Sequence, residues 1–190
     1  MKDVLDFPSV ADCEPEWLER PVSAIATHVS NVYHEFTRDR LPLITNMAMR
    51  AATIPGERGT AFVPALNALI SQLRDAVVTH AWTEDDLLFP VLVAHEHPGV
   101  LKTSVSRDEL RRLVDALSSE HLHIRQIISA LDELTDGFKT PTGAPAELDD
   151  LVQLVKELTR SLLEELDIED RCLLPRAREI ADGRAETRRT

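Results

Sequence analysis

Apolar residues recur at three- and four-residue steps along four long stretches of this chain, as expected of helices that each bury one face. After an irregular acidic lead from Met1 to about Glu16, the first stretch runs through Leu18, Val22, Ile25, Val29, Val32 and Phe36, predicting a helix over about Val22–Ala52. Pro42 is expected to kink or divide it, since proline lacks an N–H and crowds the preceding turn. Residues 54–59 break the pattern. A second helix resumes through Leu66, Leu69, Leu73 and Val77 to about Ala94, bent near Pro90, and His97-Pro98-Gly99 makes a turn. Ser106 and Glu109 form a capping box for a third helix, carrying Leu110, Leu113, Leu117, Ile124, Ile128 and Leu131 and stopping near Thr135. The connector from Asp136 to Pro145 holds two glycines and two prolines. A fourth helix reaches about Ala181, with Gly183 as its cap and residues 183–190 as a fraying tail.

No β-type alternation of useful length interrupts this pattern, so the expected fold is all-α, an up-and-down four-helix bundle spanning residues 17–182. A chain of 190 residues, 43% of them hydrophobic, can bury about 70% of its unfolded surface as one domain without disulfides. Cys13 and Cys172 lie far apart, with no C-x-x-C motif and no secretory leader, and are read as cysteines of a reducing cytosol. The formal charge of −12 opposes nucleic acid and anionic lipid, and the basic residues from Arg184 to Arg189 form the one short cationic run. No apolar run approaches the roughly 20 residues that span a bilayer.

Two segments are offset copies of one another: His80-Ala81-Trp82-Thr83-Glu84-Asp85-Asp86-Leu87-Leu88-Phe89-Pro90 and Glu165-Leu166-Asp167-Ile168-Glu169-Asp170-Arg171-Cys172-Leu173-Leu174-Pro175. Each sets two metal-capable side chains four residues apart, about 40° of rotation and ~6 Å of rise on a helix, so both can reach one ion or one pair of ions. His34 and His121 precede the copies on other helices. The successive gaps from His34 to His80 to His121 to Glu165 are 46, 41 and 44 residues, a spacing that returns side chains to one level in an up-and-down bundle.

Six residues are therefore candidate ligands: His34, His80, Glu84, His121, Glu165 and Glu169. Three imidazoles and three carboxylates suit two iron ions, with manganese second, better than a thiolate-preferring metal. Glu84 and Glu169 hold equivalent places in the copies and are expected to bridge, with His80 and His121 on one metal and His34 and Glu165 on the other. Taken singly, a helical Glu-x-x-x-Glu pair reads as a solvated face and His121 as a hydrogen-bonded core histidine. Taken together, matched spacing on four helices favours the metal reading. Glu165 and Glu169 also flank the stripe Leu158, Leu162, Leu166 and Leu173, where unpaired carboxylates would be costly. His28, His95, His97 and His123 fall off this pattern. Glu120 is placed to support an imidazole, and Tyr33 either hydrogen-bonds near the site or packs in the core.

At these residues the chain resembles the hemerythrin-like (HHE cation-binding) proteins, specifically the Repair of Iron Centers di-iron family. The resemblance runs from about Trp17 to Ile180, through Val32-Tyr33-His34-Glu35 with Leu41-Pro42, His80-x-x-x-Glu84 with Leu88-Phe89-Pro90, and Ser119-Glu120-His121. It continues through Leu134-Thr135-Asp136-Gly137-Phe138, Ile168-Glu169-Asp170 and Leu173-Leu174-Pro175-Arg176-Ala177. It implies a cytoplasmic non-haem di-iron bundle, oxo-bridged when oxidised, that restores iron-sulfur clusters after nitric oxide or peroxide damage, with His34, His80, Glu84, His121 and Glu169 as ligands. Its partners would be a diatomic or peroxide ligand and iron-sulfur proteins.

Two positions depart from the family pattern. Glu165 stands where the family has a histidine, and Cys13 stands where members often carry paired N-terminal cysteines. A third carboxylate lowers the net charge of the site by one, which favours ferric over ferrous iron. If Glu165 instead turned away, a mononuclear or partly filled site would result. The favoured role is a stress-response protein that stores or donates iron, or reacts with nitric oxide, dioxygen or peroxide; whether it acts as an enzyme is left open, as is monomer or homodimer. The alternatives are a sensor or carrier that signals through a partner protein, and a metal-free bundle acting through its surface.

Overall fold

The structure, a computed structural model, describes residues 13–53, 60–97 and 105–184. The expected break at 54–59, the Pro98-Gly99 part of the second turn and the tail beyond residue 184 lie outside the described residues. Every regular element among the described residues is helical: α1 (Pro15–Leu18), α2 (Val22–His28), α3 (Glu35–Ala51), α4 (Val63–Thr83), α5 (Phe89–Glu96), α6 (Arg107–Leu134), α7 (Ala146–Ile168) and α8 (Leu174–Ala181). Three π-helical segments lie between them: π1 (Val29–His34), π2 (Glu84–Leu88) and π3 (Glu169–Leu173). The chain is an all-α helical bundle.

The π segments are the main departure from uniform helices. A single α-helix through Val22, Ile25 and Val29 would next bury Val32 and turn His34 about 140° from Val29. Instead Val32 is 47% exposed, and the buried face passes from Val29 to His34, then to Thr37, Leu41, Ile44 and Ala48. The wide turn of π1 supplies the rotation that brings the histidine inward. Pro42 does not divide α3, which runs through it from Glu35 to Ala51. In π2 and π3 the wide turn is closed by Phe89 N–H donating to the Glu84 carbonyl and Leu174 N–H donating to the Glu169 carbonyl, each five residues back. Pro90 and Pro175 follow at once, and a widened turn relieves the clash a proline ring makes with the carbonyl four residues behind it.

The chain divides into two compact units. One comprises residues 1–31, 81–119 and 164–190, and its core joins Trp17 and Ile25 to Leu88, Leu92, Leu117 and Leu173. Here α2 packs against α5 and π3, and α8 against π3. Pro21 offers no capping side chain to α2, and Glu96 does that work from 74 residues away: its carboxylate accepts from Val22 N–H at 2.8 Å and Ser23 N–H at 3.0 Å, with Arg176 Nη2 at 4.0 Å. α6 opens on the capping box, Ser106 N–H donating to Glu109 Oε2 at 2.8 Å and Glu109 N–H to Ser106 Oγ at 3.2 Å. α8 ends on Gly183 at φ +74°, where Arg184 N–H reaches back to the Glu179 carbonyl.

The other unit comprises residues 32–80 and 120–163, with a core of Ile44, Leu66, Leu73, Ile124, Leu131 and Leu158 among others. Asn67 Nδ2 donates to the Ala48 carbonyl at 2.9 Å and ties α4 to α3. After α6 the chain turns through positive φ at Asp136, Gly137 and Phe138. Phe138 keeps that unfavourable backbone because its N–H donates to buried Thr135 Oγ1 at 3.0 Å, Gln153 Nε2 donates to its carbonyl, and its ring is buried.

The Glu96 contact carries a pH dependence. Burial alone would raise the Glu96 carboxyl, but hydrogen bonds from Ser23 and Val22 and the Arg176 charge outweigh it and hold the group below its ordinary value. A depressed carboxylate contributes stability above its unfolded pKa of about 4.3, and loses it as pH falls through the folded value. Glu96→Gln is expected to destabilise the protein by about 1–2 kcal/mol at pH 7 in denaturant titrations, with the gap closing below about pH 4. An equal gap at both pH values would show that the charge contributes nothing.

Candidate metal centre

The six candidate ligands come from four separate helical runs, and local chemistry turns each inward. His34 ends π1, and Glu84 and Glu169 open π2 and π3. His80 precedes Glu84 by one α-helical turn on α4, and Glu165 precedes Glu169 likewise on α7, so each copy presents its pair on one helix face. His121 lies on α6 between buried Leu117 and Ile124. All six side-chain-bearing residues are buried, at 2% exposure or less.

They also converge. Ligand-capable atoms of His80, Glu84, His121 and Glu169 all lie within 4.8 Å of one another, and so do those of His34, Glu84, Glu165 and Glu169. Glu84 and Glu169 are common to both groups. The rings of His80 and His121 meet edge to face with centroids 4.8 Å apart. Glu165 belongs to the second group and does not turn away.

Three carboxylates and three imidazoles buried so closely make a donor set for cations. Burying an ionised carboxylate without compensation is among the most expensive acts in a protein interior, and three of them sharing one neighbourhood repel each other as well. Cationic charge among the groups removes both costs, and a nitrogen–oxygen set without thiolate matches iron or manganese in chemistry. The residues present thus form groups that fit a metal ion in their chemistry.

Glu120 meets His80 rather than its sequence neighbour: His80 Nδ1 and Glu120 Oε2 stand 3.2 Å apart, the kind of contact by which a carboxylate orients an imidazole. Sequence spacing pointed to Glu120 without saying which imidazole it meets. His28 packs on the Trp17 ring, with centroids 4.8 Å apart, and burial, then the Arg20 charge, lowers its pKa. His95 and Tyr33 are half-buried; His97 and His123 are exposed.

One expectation from the sequence is overturned. Cys13 and Cys172 are not separate thiols but form a disulfide, with Cα atoms 4.9 Å apart. Their separation of 159 residues along the chain hid the pairing. No helix among the described residues is long and apolar enough to cross a membrane.

Comparison with known proteins places the chain among relatives by sequence. The iron-sulfur cluster repair protein YtfE of Edwardsiella ictaluri (strain 93-146) is 24% identical over 172 residues, covering 90% of this chain and 73% of the relative. The proteins of the same name from Yersinia pestis (strain Pestoides F) and Yersinia pseudotuberculosis serotype O:1b (strain IP 31758) are 24% and 23% identical, each over 85% of this chain and 68% of the relative. The family model for the hemerythrin HHE cation binding domain matches residues 27–177, a span that contains all six buried donors, and the chain belongs to that family.

Proposed function

We propose that this protein holds two iron ions and serves in the repair of iron-sulfur clusters under nitrosative or oxidative stress, in the cytoplasm. The observation that carries this reading is the pair of four-residue donor groups with Glu84 and Glu169 in common. His80 and His121 would complete one position and His34 and Glu165 the other. Bound iron would supply one-electron chemistry and coordination positions for nitric oxide, dioxygen or peroxide, and would itself be the material handed to a damaged iron-sulfur protein.

The chain's own residues set the terms of that chemistry. Glu84 and Glu169, each at the start of its π turn, would serve both positions. Glu165 adds a negative charge where an imidazole would be neutral, which favours the ferric state and makes the centre a weaker reductant. Glu120 orients the His80 ring. The apolar core around the donors keeps water out and strengthens every charge interaction inside.

Anaerobic Fe(II) titration followed by Mössbauer spectroscopy is expected to give two irons per chain, falling to one or fewer in Glu84→Ala. A stoichiometry of one in the wild type, unchanged in Glu165→Ala, would contradict the paired site and remove Glu165 from it. Glu165→His is expected to ease reduction of the ferric form, seen as a more positive midpoint in spectroelectrochemistry. Glu120→Gln should weaken iron binding about tenfold in competition with a chelator, with the fold unchanged by circular dichroism. Equal affinity would show that the Glu120 charge does not act on His80.

A further inference from the structure

The Cys13–Cys172 disulfide sits in the core beside Trp17, Val22, Leu173 and Leu174, with the two cysteines 5% and 1% exposed. Cys172 is the fourth residue of π3, the widened turn that opens on Glu169 and closes through Leu174 N–H on the Glu169 carbonyl. In the first copy the matching residue is Leu87, 42% exposed on π2. Cys13 is therefore bonded to π3, while the matching side chain on π2 is exposed.

From Trp17 onward that segment is held without the disulfide. Trp17 is buried, and Arg176 Nη1 donates to the Arg20 carbonyl at 2.6 Å and to the Trp17 carbonyl at 3.4 Å. Cys13 lies upstream of these anchors, and the disulfide adds a covalent tie between it and the turn. Disulfides in cytoplasmic proteins are rare, and those that occur are usually transient and redox-sensing.

We propose that Cys13 and Cys172 are a reversible, oxidant-responsive clasp on the turn that carries Glu169. The clasp takes peroxide as oxidant and a dithiol as reductant, and it sets how firmly metal is retained. The inference rests on Glu169 being a ligand, as proposed above. On oxidation the Cys13 thiolate attacks one peroxide oxygen, the O–O bond breaks, and a sulfenic acid and water result. The Cys172 thiolate then attacks that sulfur and expels the oxygen as a second water. Two thiols and one hydrogen peroxide become one disulfide and two waters. On reduction a dithiol thiolate attacks the Cys13 sulfur and Cys172 leaves as thiolate. The second thiol resolves the mixed disulfide, so the dithiol is oxidised and two protons pass to the cysteines. Closed, the clasp holds π3 and retains iron while oxidant persists; open, it frees the turn and lets iron leave once reductant returns.

The test uses the full chain, reduced with dithiothreitol or oxidised with one equivalent of hydrogen peroxide, first without metal. Alkylation and mass spectrometry should find two thiols that vanish with peroxide and return with dithiothreitol in the native protein. Backbone amides of residues 169–174 should exchange hydrogen about tenfold faster in the reduced form. After Fe(II) loading, transfer of iron to a chelator should be about tenfold faster from reduced than from oxidised protein. Cys13→Ser should behave as reduced under both conditions, and the wild-type comparison stands without it should that variant fold poorly. A pair that resists dithiothreitol in the native state, or reduced and oxidised forms with equal exchange and equal release, would overturn the clasp. Loss of iron binding in both forms with the exchange difference intact would support the clasp and reject the metal reading, so the two fail separately.

Discussion

Buried negative charge is the constraint around which this chain is organised. Glu84, Glu165 and Glu169 occupy interior positions where leucine would satisfy a bundle, and each is excluded from solvent. Three carboxylates in one neighbourhood are costly to bury in ionised form, and positive charge among them offsets that cost. The three buried histidines bring nitrogen atoms to the same place. What would be a packing fault in an ordinary helical protein is thereby the reason for the arrangement.

Backbone irregularity is how those groups are aimed. Each π segment begins or ends on a candidate ligand, and two are followed after one residue by proline. A wide turn costs hydrogen-bond quality but rotates everything beyond it, so one inserted residue decides which side chain faces inward. The two copies share this device and differ in chemistry: Glu165 answers His80, and Cys172 answers Leu87. The second copy thus carries a carboxylate and a disulfide-bonded cysteine where the first carries an imidazole and an exposed leucine.

Much of this was legible in the chain itself. Three- and four-residue apolar steps located the long helices, Ser106 with Glu109 marked the start of α6, and Gly183 marked the end of α8, because these signals act within a few residues. The six donors were visible through the offset copies and their spacing. π1 was not, since Val32 and Phe36 continue the apolar rhythm and conceal the step from Val29 to His34; the exposure of Val32 betrays it. Nor was the disulfide, which joins residues 159 apart. Glu120 could be nominated from its place beside His121, but which ring it meets depends on the facing helix.

Anomalous diffraction at the iron edge, from crystals of iron-loaded protein, bears most directly on whether these donors clasp a metal pair. Two peaks are expected, both in contact with Glu84 and Glu169, one completed by His80 and His121 and the other by His34 and Glu165. A single peak, or iron bound away from Glu84 and Glu169, would contradict the paired site.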